Sequence, residues 1–398
     1  MYNNYVETNP FHVMVKPAGA ACNMACRYCF YLNKKNIYPK SDFKMNEKVL
    51  ELFIRQYIEA QPEQTVTFAW QGGEPTLMGI EFFQKAVQLQ NKYVSVDENI
   101  KTKQKNINNI IQTNGILLND EWCSFFKKNN FLIGLSLDGP EEIHNSYRKD
   151  IEGNGTFKKV MEAVQLLKKH NVEFNILTSV HAENENQPRR VYRFLRDTAE
   201  ARHIQFIPIV ETDIGNADQV KRFSVTAKGY GRFLSKVFNE WVRRDVGSVF
   251  IQLFDVALAA WLGYNPGLCS FSEVCGNMLA LEHTGDVYSC DHYVDSNHFL
   301  GNIAETHLGH LVSSPKQLQF GNLKRERLPQ NCLECPVRFV CNGGCPKNRI
   351  LKTSDGSPGR NFLCAGYKQF FNHIERAMNI MSEEWRAGRS PARVMSLL

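Results

Sequence analysis

Several things are scarce in this sequence, and each scarcity removes a class of protein. No apolar run approaches the ~20 residues that a membrane-spanning helix takes; the longest, near 256–262, is short. The opening M-Y-N-N-Y-V-E-T-N-P has neither a basic flank nor an apolar stretch, so no secretory leader is expected and the cytoplasm is the expected compartment. No internal repeat or low-complexity tract is present, which excludes a solenoid. Charge of one sign is not in excess: a net +6 over 398 residues describes a slightly basic surface and calls for neither nucleic acid nor membrane as partner. Cysteine, at 12 residues, is far too sparse for a disulfide scaffold.

What cysteine there is lies in clusters, which in a large chain of this kind suggests metal or redox chemistry. Cys123 stands apart in the amphipathic D-E-W-C-S-F-F-K-K and reads as core. Three others, Cys22, Cys26 and Cys29, share the loop A-G-A-A-C-N-M-A-C-R-Y-C-F-Y-L-N at 18–33. A four-iron cluster normally takes four thiolates, so three leave one iron open to a ligand. A zinc knuckle short of a ligand or a redox pair would not need this spacing. The C-x3-C-x2-C run with Tyr28 before its last cysteine resembles the motif of the radical S-adenosylmethionine (SAM) enzymes.

Hydrophobic pattern gives strands at 11–16, 65–70, 107–113, 131–137, 174–180 and 204–210. Helical spacing fills the gaps at 45–59, 79–93, 120–129, 156–170 and 191–200. Six alternations build a parallel sheet covered by helices. Whether that sheet is open or curled is not written in the pattern; the resemblance implies a (β/α)6 partial barrel. In such folds chemistry sits at the carboxyl ends of strands, and the cysteine loop, Q-G-G-E-P, T-N-G and D-G-P all follow strands. Two helices with no strand between them are expected at 226–245 and 249–262, as a bridge. The expected division is 1–225 for the barrel, 226–264 for the bridge, and 265–398 for a cysteine-rich domain with a carboxyl-terminal helix.

The pair Gly72-Gly73 would let backbone approach a ligand closely. Gln71-Gly72-Gly73-Glu74-Pro75 is similar to the G-G-E-P motif that holds the SAM amino group; a plain tight turn is the alternative. The same resemblance implies SAM contacts by Tyr28, Ser136, Arg148 and Val210. A guanidinium suits a carboxylate, though a surface ion pair with Asp150 or Glu152 would also explain Arg148, and core packing would explain Val210.

The remaining eight cysteines are Cys269, Cys275, Cys290, Cys332, Cys335, Cys341, Cys345 and Cys364. Alternation on both sides of T-G-D predicts a hairpin turning at Gly285. Eight thiolates make two four-thiolate sites, and spacing alone fits zinc or iron–sulfur equally. The string C-L-E-C-P-V-R-F-V-C-N-G-G-C-P-K resembles the SPASM extension of radical SAM enzymes. That resemblance implies two auxiliary four-iron clusters, one on Cys269, Cys275, Cys290 and Cys345, the other on Cys332, Cys335, Cys341 and Cys364. With the first loop this makes three [4Fe-4S] clusters.

Asp291, directly after Cys290 in Y-S-C-D-H-Y-V, is a candidate acid–base group; a turn aspartate is the bland reading and His292 the rival base. Nearly the whole chain resembles the anaerobic sulfatase-maturating enzymes, through F-A-W-Q-G-G-E-P-T-L, G-L-S-L-D-G-P, Y-S-C-D-H-Y-V and C-N-G-G-C-P-K. The resemblance implies oxidation of a sulfatase cysteine or serine to Cα-formylglycine: a 5′-deoxyadenosyl radical takes hydrogen from Cβ, Asp291 takes a proton, and the electron leaves through the auxiliary clusters. It also implies Tyr31 and Gln71 near the substrate, a sulfatase polypeptide as partner, and an external electron donor such as flavodoxin or ferredoxin. A SPASM maturase forming thioether or carbon–carbon crosslinks, and a non-enzymatic zinc-binding interaction protein, are the other readings.

Overall fold

The computed structural model describes residues 8–95, 105–213, 216–352 and 358–398; residues 1–7, on which most of the leader reading rests, lie outside them. Strand β1 (His12–Lys16) is buried along all but its first residue. It is followed by α1 (Glu47–Ala60), whose first turn is capped by the Asn46 side chain accepting from the Val49 N–H. Next come β2 (Thr65–Trp70), α2 (Ile80–Ser95), β3 (Asn106–Thr113) and α3 (Asp120–Lys128), the last capped by Asn119. The alternation continues through β4 (Phe131–Ser136), α4 (Glu141–Tyr147), α5 (Phe157–Lys169), β5 (Phe174–Val180), α6 (Pro188–Arg193) and β6 (His203–Pro208). A π turn over Phe194–Thr198 carries α6 further, so the expected helix at 191–200 starts earlier and ends less regularly. Pro188 explains the start, since its fixed φ and missing N–H suit the first helical position.

Strands β1 to β6 lie side by side in chain order, all parallel. This is the (β/α)6 core, and it does not close: β1 and β6 each pair outward with other strands. A short hairpin, β7 (Thr212–Asp213) with β8 (Asn216–Val220), precedes α7 (Ala227–Arg244). The bridge then departs from expectation. Strand β9 (Phe250–Ile251) separates α7 from α8 (Gln252–Trp261) and pairs parallel with β6. Two residues are too few to register as a pattern, although Val249, Phe250 and Ile251 have strand chemistry.

On the other side, β10 (Met278–Glu282) pairs with β1, with Lys16 opposite Glu282. It turns at Gly285, φ +90°, into β11 (Asp286–Tyr288), and β12 (Phe299–Asn302) ends a ten-stranded sheet. The carboxyl-terminal part continues with α9 (Leu308–Val312), α10 (Pro315–Glu326), α11 (Gln330–Leu333), α12 (Arg338–Cys341) and the pair β13 (Leu351–Lys352) and β14 (Pro358–Arg360). The long α13 (Cys364–Arg386) then packs back on α7 and α8. Ring contacts such as Phe254–Phe370 at 5.7 Å and Phe238–Phe254 at 5.1 Å join these helices. One apolar core thereby runs from Phe11 to Val394, with Cys123 fully buried in it. Among the described residues no helix is long and apolar enough to cross a membrane.

Candidate active site

The loop bearing Cys22, Cys26 and Cys29 leaves the carboxyl end of β1 and rides directly on the turn after β2. Gly73 N–H donates to the Gly19 carbonyl at 2.8 Å and Glu74 N–H to that of Ala21, also at 2.8 Å. A Cβ on Gly73 would stand 1.8 Å from the Ala21 carbonyl oxygen, and one on Gly72, at φ +127°, would stand 2.9 Å from that of Gly19. The two glycines are thus required by the close approach of the cysteine loop itself. Glu74 is fully buried and is met by protein donors: Thr76 Oγ1 at 2.6 Å, Thr113 Oγ1 at 2.7 Å and the Asn114 N–H at 2.7 Å. Burial raises its pKa while these donors oppose that. Its carboxylate ties the ends of β2 and β3 together under the loop. Asn114 Nδ2 in turn donates to Asn23 Oδ1 at 2.7 Å, holding the chain beside Cys22.

Burial pushes the Cys22 thiol up to about 12 and Cys26 to about 11. As free thiols they stay protonated; a cluster must supply the positive charge that lets them ionise. Beside Cys26 lies a buried polar chain. Tyr28 Oη donates to Asp138, and Arg148 Nη1 donates to Tyr28 Oη at 3.0 Å. Asp138 also accepts from the Ser179 N–H at 2.9 Å. Arg148 is 7% exposed, which removes the surface ion pair with Asp150 or Glu152. Its Nε, and Nε2 of His181 stacked on Tyr28, are buried without a hydrogen-bond partner. Orphaned donors at this spot suit an anionic ligand group. Ser136, at the end of β4, accepts from Gln112 Nε2 at 3.0 Å. Val210 is buried just beyond β6.

The other eight thiols sort themselves by mutual influence. Cys345 and Cys269 act on Cys290, and Cys345 and Cys275 on Cys269. Separately, Cys364, Cys332 and Cys335 act on Cys341. Among the described residues no three His, Cys, Asp or Glu side chains converge on the point that one ion would occupy.

Asp291 faces the first thiol loop. Its Oδ2 lies 3.7 Å from Lys16 Nζ, at the end of β1, and the side chain is 14% exposed. Burial works to raise its pKa, but His292 and the Lys16 ammonium prevail and hold it below the ordinary carboxylate value. It is therefore an anion able to accept a proton. Lys16 Nζ also sits 4.7 Å over the Tyr31 ring, and Tyr31 Oη donates to Glu282. Gln71 continues β2, its N–H donating to the Val15 carbonyl at 2.7 Å. Burial lowers the pKa of His292, whose ring lies against Phe30 at 4.8 Å.

Sequence reasoning passed over Lys16, Asp138 and Lys324. Lys16 had a signal, a lone lysine closing an otherwise apolar strand. Asp138 stood in the quoted D-G-P without a role. The 390 Å³ cavity lined by Asn175, His203, Phe250 and Asp255 lies where β5 and β6 begin, at the opposite end of the strands from the loop of Cys22, Cys26 and Cys29.

Comparison with known proteins agrees with this geometry. Residues 17–195 match the model of the radical SAM superfamily, and 269–336 that of an iron–sulfur cluster-binding domain, SPASM. Fold and thiol sets together define a radical SAM protein with an iron–sulfur extension. The chain is 43% identical to a serine-type anaerobic sulfatase-maturating enzyme of Bacteroides thetaiotaomicron, over 98% of this chain and 95% of that one. A cysteine-type enzyme of Clostridium perfringens is 35% identical over 93% of this chain and 98% of its own. The solved structure of native anSMEcpe with bound AdoMet superposes with a TM-score of 0.83 at 33% identity, covering 94% of this chain and all of that one. The chain belongs to the anaerobic sulfatase-maturating enzyme family. A zinc-binding interaction protein is thereby ruled out.

Proposed function

We propose that this protein oxidises a serine of a sulfatase polypeptide to Cα-formylglycine, activating the sulfatase without oxygen. The observation that carries the reading is Asp291, an anionic carboxylate that follows one thiol of the Cys269 set and is paired with Lys16 under the loop of Cys22. Serine is preferred to cysteine as the target because the serine-type relative is the more similar, 43% against 35%.

In this reading Cys22, Cys26 and Cys29 hold one four-iron cluster with an open iron. The Cys269, Cys275, Cys290, Cys345 and Cys332, Cys335, Cys341, Cys364 sets hold two closed ones. With SAM bound, the first cluster supplies the radical chemistry that takes a hydrogen atom from an unactivated carbon. The protein's own contribution is placement. Gly72 and Gly73 fix the loop against β2, and Glu74 fixes β2 against β3. Arg148, whose Nε is buried without a partner beside Tyr28, would hold the SAM carboxylate, with Ser136 and Val210 lining the rest of its site. Tyr31 and Gln71 border the substrate. Asp291 accepts the serine hydroxyl proton, and Lys16 keeps it ionised until it does. Residues 1–225 then form the radical-generating part, 226–264 the bridge, and 265–398 the electron-accepting part. The enzyme works in the cytoplasm and draws its electron from an external carrier of the flavodoxin or ferredoxin class.

The test is an anaerobic incubation of the reconstituted enzyme with matched serine and cysteine peptides, SAM and a reductant, with aldehyde trapped by a hydrazine. Trapped product from the serine peptide is expected. Cleaved SAM with a crosslinked peptide and no aldehyde would replace this reading with that of a crosslinking maturase.

A further inference from the structure

Helix α10 departs from the amphipathic rule. Its buried positions are Gln317, Gly321 and Lys324, four and three residues apart, so a polar face is the hidden one. That face lies on the loop of Cys269 and Cys275. Gln317 Nε2 donates to the carbonyls of Gly276 at 2.6 Å and Ser289 at 3.2 Å. The Gly321 carbonyl accepts from the Cys275 N–H at 3.3 Å. A Cβ on Gly321 would stand 2.3 Å from the Cys275 carbonyl oxygen, so the helix sits flush on the loop.

Lys324, 1% exposed, closes the contact. Its Nζ donates to the carbonyls of Cys269 at 2.6 Å, Ser270 at 3.0 Å, and Ser272. Three acceptors need three N–H donors, which only the ammonium form has. Cys269, Ser270 and Ser272 all lie in the segment from Cys269 to Cys275, two thiols of one set. Arg349 contrasts with it. Its guanidinium donates to the carbonyls of Lys324 at 2.6 Å, Asn342 at 3.0 Å and Gly343 at 3.2 Å. Asn342 and Gly343 lie between Cys341 of one set and Cys345 of the other, so this cation holds the segment that joins the two sets.

We propose that Lys324 is a positioning residue for the cluster on Cys269, Cys275, Cys290 and Cys345, and that its buried ammonium selectively raises that cluster's reduction potential, while Arg349 acts on both auxiliary clusters. The inference rests on the reading that these thiol sets hold four-iron clusters. Reduction adds negative charge to a cluster, and a fixed cation in a poorly screened interior stabilises that charge. The electron count shows the use. Turning a hydroxymethyl group into an aldehyde removes one hydrogen atom, one proton and one electron. The SAM-derived radical would take the hydrogen atom, Asp291 the proton, and the auxiliary cluster on the set that includes Cys290, next to Asp291 in the chain, would take the electron. Raising that cluster's potential makes it the better acceptor.

The test is an EPR-monitored redox titration of the full-length, anaerobically reconstituted enzyme. Lys324→Gln retains two N–H donors and loses the charge. With iron and sulfide content equal to the parent's, one auxiliary midpoint is expected to fall by about 59 mV, a tenfold loss in its one-electron equilibrium. The other clusters stay in place. Lys324→Arg restores the midpoint, and Arg349→Gln moves both auxiliary midpoints. Unchanged midpoints in Lys324→Gln, or equal movement of both, overturn the proposal. So does loss of that cluster's iron in Lys324→Gln, which would make the residue a loop anchor only. A parent enzyme lacking two auxiliary signals would instead remove the cluster reading itself.

Discussion

At the scale of single residues, the site depends on charges held out of water by specific partners. His292 and Lys16 hold the Asp291 pKa below the ordinary carboxylate value despite burial, and Lys16, 2% exposed and 3.7 Å from Asp291, has its Nζ over the face of the Tyr31 ring. Replacing Asp291 by Asn leaves the eleven clustered thiols untouched and removes the acceptor. Iron content is expected to equal the parent's, and aldehyde formation to fall by about 10²-fold or more. Anaerobic iron analysis beside the peptide assay checks this, and a variant that keeps its activity assigns the proton to another group. Asp291 is a candidate in the sequence through its place after Cys290. The sequence could not show Lys16, whose partner lies 275 residues further along the chain, a contact that only folding makes.

At the scale of elements, helices are clamped by charge as well as by apolar faces. Glu240 on α7 accepts from Arg193 Nε on α6 at 2.8 Å and from Arg196 Nη1 at 3.3 Å, with its side chain 6% exposed. Arg196 Nη1 continues to Asp245 at 2.9 Å, and Tyr192 Oη donates to the same carboxylate at 2.7 Å. Burial alone would raise the Glu240 pKa, but the two guanidiniums hold it below the ordinary value. A depressed folded-state pKa contributes stability above the unfolded value, and that contribution is lost as pH falls through the folded one. Glu240→Gln is therefore expected to lower Tm by a few degrees at pH 7. The difference from the parent should vanish in acid, below both pKa values. Parallel melting curves from pH 7 downward check it; a gap that persists in acid would mean that packing, not charge, is what the substitution disturbs. The helices themselves were legible from their periodicity and caps. This clamp was not, because arginines on an exposed helix face have no sequence signal that names their partner.

At the scale of the whole molecule, the sheet joins the two halves. Strand β10 covers the outer edge of β1 along its full length, from His12 beside Met278 to Lys16 beside Glu282. Helix α13 closes over α7 and α8 at the other side. A chain ending at 264 would leave β1 with an unpaired edge, the buried Lys16 without Asp291, and α7 without its cover. It is expected to be recovered as aggregate under conditions where the full chain is soluble. A soluble, monodisperse fragment with a normal Tm would show the barrel to be self-sufficient.

The sequence by itself determined the parallel core, because period-two and period-3.6 patterns are local and survive without tertiary context. It also determined the eleven-thiol inventory and the loop of three, because short spacings constrain geometry directly. Tertiary structure alone decided why Gly72 and Gly73 are glycine. It alone placed β9 and β10 at the two edges of the core and buried Lys324 against a cluster loop. Each of these is a contact between segments far apart in the chain, where the sequence records the residue but not its neighbour.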